Sequence, residues 1–348
     1  MGSPSIGCSA ARARFTWVHA PEVRAPEMPD PESMTTHSEF DRSPAAVSSA
    51  VPVPEGQILR GQSLLVRYAN FVKLPHTLFA LPFALLGVLA AAQAAPVTWR
   101  IVGLVIVAFS AARWVAMGFN RVADRDFDAL NPRNRHRELP RGTLSVGQAW
   151  ASIVVAAVLF VAASWAINPL CGWLSPVALA WVMTYSVMKR FTYWPHLWLG
   201  ASLAIAPVGG YLAVTGRWSE PWWLLLVITL GVATWVAGFD IFYALPDEQF
   251  DRRTGLRSAV VRLGVPRAIL LAKSLHAVTV PALALFGWAT GFGAVYFAGL
   301  AVAAGMLVYE HRLVRADDLS RLDEAFFTMN AVMSVTVFAF ALLDWIVR

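Results

Sequence analysis

From about residue 60 onward, long unbroken apolar runs alternate with short polar segments. The runs recur over residues 74–93, 101–119, 148–167, 172–188, 196–214, 221–243, 267–287, 290–309 and 324–346, each roughly 17 to 23 residues long. An α-helix of about 20 residues crosses a hydrocarbon core of about 30 Å, so the pattern predicts about nine transmembrane helices. The runs do not alternate apolar and polar at every second position, which argues against a β-barrel. The expected fold class is therefore an all-α polytopic membrane bundle. Ahead of it, residues 1–58 are rich in Pro, Ser, Ala and Glu and hold no apolar stretch long enough for a signal peptide. That composition predicts a disordered cytosolic tail followed by a transmembrane domain over 59–348.

Composition agrees with the pattern: 57% of the 348 residues are hydrophobic and 14% charged, too apolar for a soluble domain of this size. A net charge of +6 raises the question of nucleic acid. The cations, however, lie in short segments between apolar runs rather than on one basic face, and positive-inside topology accounts for them without nucleic acid. With the N-terminus placed in the cytoplasm, about 19 Lys and Arg fall on that side, against Arg100, Arg217 and Arg348 on the other. The expectation is a multi-pass protein of a bacterial inner membrane. Cys8 and Cys171 are too far apart in sequence and setting to suggest a disulfide framework or a metal cluster.

Two polar segments on the cation-rich side are dense in carboxylates as well. The first runs from Asn120 through Asp124 and Asp126 to Asp128, and the second from Asp240 through Tyr243 and Asp247 to Asp251. On a continuous helix, Asn120, Asp124 and Asp128 would form one ridge of oxygen ligands, and Asp247 with Asp251 a second. Gathering carboxylates at a membrane boundary is costly, and a hard divalent cation that also binds phosphate oxygens offsets that cost. Mg²⁺ with a diphosphate fits best. A lone Asp-x-x-x-Asp is most often a solvated loop paired with neighbouring Arg, but two copies on the same membrane face outweigh that reading. The acids sit at helix ends rather than at the bilayer midplane, which also argues against a transporter.

The two segments resemble the signatures N-x-x-x-D-x-x-x-D and D-x-x-Y-A-x-x-D-x-x-x-D of the UbiA superfamily of intramembrane prenyltransferases. Asn120, Asp124 and Asp128 match the first; Asp240, Tyr243, Ala244, Asp247 and Asp251 match the second. The likeness continues through Arg137 to Gly142, Tyr185 to Thr192 and Gly255 to Ser258, and spans residues 60–346. It implies a nine-helix bundle with a central cavity, Mg²⁺ held by Asn120, Asp124, Asp128, Asp247 and Asp251, and cytoplasmic loops capping a polyprenyl diphosphate. Arg121 stands where many members carry an acid. That departure, with the segment from Lys73 to Phe83, resembles a subgroup of 4-hydroxybenzoate polyprenyltransferase type that also includes futalosine-route menaquinone enzymes. The implied reaction is prenyl transfer to 4-hydroxybenzoate, with 1,4-dihydroxy-6-naphthoate as the alternative acceptor.

Within that reaction, Lys189, Arg190, Arg137 and Lys73 are candidates to neutralise the departing diphosphate. Phe79, Tyr185 and Tyr243 are candidates to face the allylic cation. Asp247 or Asp240 is the candidate base for the ring proton, with His76, His196 and His276 as alternatives, since a lone His in such positions is more often structural. Arg67 or Lys73 is the candidate partner of an acceptor carboxylate. The run 267–287, carrying Lys273 and His276, is a candidate wall for a lateral opening that admits the lipid tail.

Overall fold

A computed structural model of the protein describes residues 63–73, 80–317, 319, 321–322 and 330–348. The predicted tail, together with His76 and Phe79, lies outside the described residues. The described regular elements are all helices: α1 (Leu64–Phe71), α2 (Leu81–Ala91), α3 (Trp99–Ala123), α4 (Arg125–Leu130), α5 (Val146–Ile167), α6 (Pro169–Thr184) and α7 (Met188–Phe191). They continue as α8 (Pro195–Thr215), α9 (Leu224–Ala244), α10 (Glu248–Arg253), α11 (Ala259–Leu263), α12 (Val265–Thr290), α13 (Ala294–Leu313) and α14 (Asn330–Val347). Among the described residues eight helices are long and apolar enough to cross a membrane. The remaining predicted run, 74–93, is represented by the shorter α2.

The helix starts follow from local chemistry. Thr98 accepts from the Ile101 amide at the head of α3, Ser145 and Gln148 form a reciprocal capping box on α5, and Asn168 caps α6 just before Pro169. Each satisfies amides that a helix N-terminus leaves without partners. Inside the bundle, α8 is clasped between α2 and α9 through glycines. A Cβ on Gly87 would overlap the Pro207 carbonyl, one on Gly210 the Ala84 carbonyl, and one on Gly200 the Ala233 carbonyl. Such backbone-to-backbone approach is how membrane helices gain packing contacts when lipid removes the hydrophobic drive between them. Trp235 of α9 is fully buried here, its ring 4.9 Å from that of Phe83 on α2. Outward faces remain apolar: Val154, Val155 and Val158 on α5 and Leu270 on α12 are exposed, as suits a surface against lipid tails.

Both Asp-rich segments sit where a long helix breaks, and here the expectation of straight ridges is corrected. Helix α3 stops at Ala123 because the Arg190 guanidinium takes the Ala123 carbonyl, and Asp124 adopts φ −96°, ψ 5° before α4 restarts. Hydrogen bonds from Asp124 N to Asn120 O (2.9 Å) and from Asp128 N to Asp124 O (2.7 Å) keep the four-residue register through the bend. Helix α9 likewise ends at Ala244; Pro246, with no amide to donate, turns Leu245–Asp247 into a 3₁₀ turn that leads into α10. The ridges are therefore two bent brackets. Links from Arg257 to Lys189 and Phe191, and from Asn131 to Asp247, tie these breaks together at one end of the bundle.

Candidate active site

The brackets face each other across a cavity of about 260 Å³. Asn120, Asp124 and Asp128 line it from one side and Asp240, Tyr243, Asp247 and Asp251 from the other, with Lys73, Arg137, Tyr185, Lys189 and Arg190 between them. Each motif carboxylate meets a cation or imidazole from elsewhere in the chain. One Arg137 nitrogen donates to both Asp128 oxygens at 2.8 and 2.9 Å. Lys189 Nζ donates to Asp251 Oδ2 at 3.0 Å, and Asp247 receives Arg133 at 3.3 Å and Asn131 at 3.2 Å. Asp240 Oδ2 lies 2.6 Å from His196 Nδ1. Asp124 has the loosest cation, Arg190 at 3.7 Å, although the Asn120 amide donates to it at 2.9 Å. Burial, then the nearby Asp128 charge, pushes the Asp124 carboxyl up from 3.8 to about 6. Above the acids, Arg133 stacks 4.4 Å from the centre of the Tyr243 ring and donates to the Tyr243 carbonyl at 3.2 Å.

Whether these residues suit Mg²⁺ can be judged from their donors. Among the described residues no three His, Cys, Asp or Glu side chains converge as a ready-made metal cage. The two brackets instead present oxygen donors across a gap, interleaved with cations that phosphate oxygens could claim. Mg²⁺ characteristically takes one or two carboxylates and completes its octahedron with water and substrate phosphates, so the residues fit the ion.

A second cavity, of about 450 Å³, adjoins the first and shares Arg113, Ala116, Val182, Ser202 and Leu203 with it. It is walled by α3, α5, α6 and α8, with Phe109, Phe160, Leu174, Val177 and Trp181 among its apolar lining. Leu174, Val177 and Trp181 are also exposed on the outer surface. A charged site thus continues into an apolar chamber that borders lipid. The expected wall from the run 267–287 is corrected, because no α12 residue lines either cavity. Helix α12 is instead closed onto α9: Thr234 and Thr279 share a 2.9 Å hydrogen bond, and His276 sits 3.1 Å from the Trp235 carbonyl and 3.0 Å from His311. Its ring fills the notch left by Gly238.

The sequence profile described as the UbiA prenyltransferase family matches residues 80–332, most of the chain. The chain belongs to the UbiA prenyltransferase family. Similar curated relatives are the 4-hydroxybenzoate octaprenyltransferases of Azoarcus sp. (strain BH72), 32% identical over 66% of this chain and 78% of the relative, and of Alkalilimnicola ehrlichii, 34% identical over 65% and 75%. Among solved structures, the apo UbiA homolog from Aeropyrum pernix K1 superposes with a TM-score of 0.72 at 31% identity, covering 78% of this chain and 98% of the homolog. The UbiA homolog from Archaeoglobus fulgidus bound to GPP and Mg²⁺ shares the fold, with a TM-score of 0.63 at 20% identity over 80% of this chain and 99% of the homolog. The protein is an integral multi-pass membrane enzyme, a prenyltransferase, and the transporter reading falls away.

The cavity of this UbiA-family site is lined by every sequence-predicted residue except Arg67, Phe79 and two of the alternative bases, His76, which lies outside the described residues, and His276, which packs against the Trp235 carbonyl. Arg67 on α1 is not among the residues lining the cavity: its guanidinium donates to the Thr143 carbonyl at 3.2 Å, where it staples α1 to the loop before α5. Phe79 lies outside the described residues. Sequence reasoning missed Arg133, Asn131 and Arg113. Nothing marked Arg133 among the six Arg between the second and third runs, because which of them returns to Asp247 depends on the turn after α4. Arg113 did carry a signal: it is an ionisable residue inside an apolar run, where such residues are functional by default.

Proposed function

We propose that this prenyltransferase uses Mg²⁺ to transfer a polyprenyl group from its diphosphate to the ring of 4-hydroxybenzoate, a step of ubiquinone-type quinone biosynthesis. One observation carries the proposal: two Asp-rich segments far apart in sequence meet across a cation-lined cavity that continues into an apolar chamber beside the lipid. The names of the curated relatives and the GPP- and Mg²⁺-bound homolog support the same reading. The density of Lys and Arg in the segments at this end supports a cytoplasmic orientation.

Mg²⁺, when held by Asn120, Asp124, Asp128, Asp247 and Asp251, supplies charge neutralisation to the departing diphosphate. Lys189, Arg190, Arg137 and Lys73 stand among those carboxylates, positioned to exchange them for phosphate oxygens. Tyr185 and Tyr243 offer ring faces beside the reacting carbon, where a water-poor cavity protects an allylic cation. The isoprenoid tail extends into the apolar chamber. Arg113 lies at the junction of the two cavities, its Nε buried with no hydrogen-bond partner among the described residues. A partly buried guanidinium at that point is suited to an acceptor carboxylate, the role the sequence suggests for Arg67 or Lys73.

A transfer assay on purified protein tests the proposal, with labelled polyprenyl diphosphate and either 4-hydroxybenzoate or 1,4-dihydroxy-6-naphthoate, in Mg²⁺ or in EDTA. Mg²⁺-dependent labelling of 4-hydroxybenzoate is the expected result. Labelling of the naphthoate alone would move the enzyme to menaquinone synthesis, and no product from either ring would overturn aromatic transfer.

A further inference from the structure

We infer that His196, held by Asp240, is the base that removes the ring proton after carbon–carbon bond formation. The inference rests on the aromatic transfer proposed above. His196 stands in the first turn of α8, directly after Pro195, and is 1% exposed. Its Nδ1 is 2.6 Å from Asp240 Oδ2 on α9. Its Nε2, on the other edge of the ring, is buried and has no hydrogen-bond partner among the described residues. Both His196 and Asp240 line the site cavity, and farther along the same helix Ser202 and Leu203 reach the junction with the apolar chamber where Arg113 stands.

An imidazole on a cavity-lining residue, with one nitrogen fixed by a carboxylate and the other buried without a partner among the described residues, is an arrangement that general bases share across unrelated folds. The other candidates are committed elsewhere. Asp247 is held by Arg133 and Asn131, Asp251 by Lys189 and Asp128 by Arg137, so their oxygens are already engaged by donors at the diphosphate end. Asp240 is already engaged by His196 and acts through it.

The step balances. The allylic carbon–oxygen bond breaks with its electron pair leaving on the diphosphate, and the allylic carbon bonds to the ring carbon ortho to the hydroxyl. The proton on that ring carbon then passes to His196 Nε2, the electron pair of the carbon–hydrogen bond restores aromaticity, and Asp240 balances the imidazolium.

The test compares wild type, His196→Gln and His196→Ala with polyprenyl diphosphate, Mg²⁺ and 4-hydroxybenzoate carrying either hydrogen or deuterium at the two positions ortho to the hydroxyl. Loss of a general base predicts that kcat falls by about 10²- to 10⁴-fold in both variants. Diphosphate binding should be retained, the impaired variants should show a primary deuterium isotope effect larger than that of wild type, and added imidazole should partly restore His196→Ala. Either of two results would overturn the assignment: a kcat loss below about tenfold, or impaired variants with the wild-type isotope effect. Parallel loss of diphosphate binding in both variants without imidazole rescue would also overturn it, by making His196 part of the scaffold. No product from wild type would overturn the aromatic reading and this assignment together, whereas wild-type turnover with unaffected variants overturns the assignment alone.

Discussion

Arg113 shows what a single residue can reveal that a motif does not. Its guanidinium is embedded in an apolar helix, and burying such a charge is tolerated where a ligand of opposite charge completes it. Arg113→Leu should raise the KM for the aromatic acid by about ten- to a hundredfold, the worth of a charged hydrogen bond, while the KM for the prenyl diphosphate stays within about threefold. Steady-state kinetics with each substrate varied in turn would check this, and an equal rise in both constants would contradict it. Asp124 makes a prediction about pH. Its folded-state pKa of about 6 lies above the usual 3.8, so the metal-free fold gains stability from its protonated form. That contribution is fully present below about pH 4 and is lost as pH rises through about 6. Mg²⁺ must displace the proton, so its apparent affinity should fall by about tenfold per pH unit below about pH 6. Asp124→Asn should weaken this dependence and leave the part due to Asp251, whose carboxyl burial also pushes up, as Mg²⁺ titrations across the range would report. The motif acids themselves were legible in the sequence because four-residue spacing is a local property. Their partners were not: Lys189 and Asp251 are 62 residues apart and Arg133 and Asp247 are 114 apart, pairings that only the fold creates.

At the scale of elements, apolar run length set the helices and local breakers set their ends. Eight of the nine predicted runs correspond to observed spanning helices among the described residues because the length needed to span a bilayer is a strong constraint. The bends at Asp124 and Pro246 were less visible. Pro246 is a local signal, but the one at Asp124 comes from Arg190 on α7, 67 residues from the carbonyl it takes. Close packing of α2, α8 and α9 depends on glycine, and this can be measured. Gly210→Ala or Gly200→Ala drives a methyl group into a facing carbonyl and should cost about 1–3 kcal/mol, seen as a lower thermal midpoint in detergent. Gly103→Ala on α3, where a Cβ meets nothing within 4 Å, should leave the midpoint unchanged or raise it slightly. Similar losses at all three positions would contradict the close-approach account, because Gly103 has no facing carbonyl to meet.

At the scale of the whole membrane unit, charge placement foretold the result before any contact was known. Positive-inside counting put both Asp-rich segments on one face, and the structure joins them in one cavity. The route for the lipid tail could not be read in this way. The run 267–287 was the candidate wall on account of its two polar residues, yet α12 is sealed against α9 and the apolar chamber opens among α3, α5, α6 and α8. A cavity is the space that packing leaves, and a one-dimensional hydropathy pattern carries no record of it. The central claim is that the two brackets form one catalytic site. The most direct measurement is metal-dependent prenyl transfer by wild type, Asp124→Ala and Asp247→Ala, each purified with its thermal midpoint recorded. Removing either residue from a site that works as a unit should reduce transfer by about 10³-fold or more while the protein stays folded. Transfer within about tenfold of wild type in either folded variant would contradict the shared site.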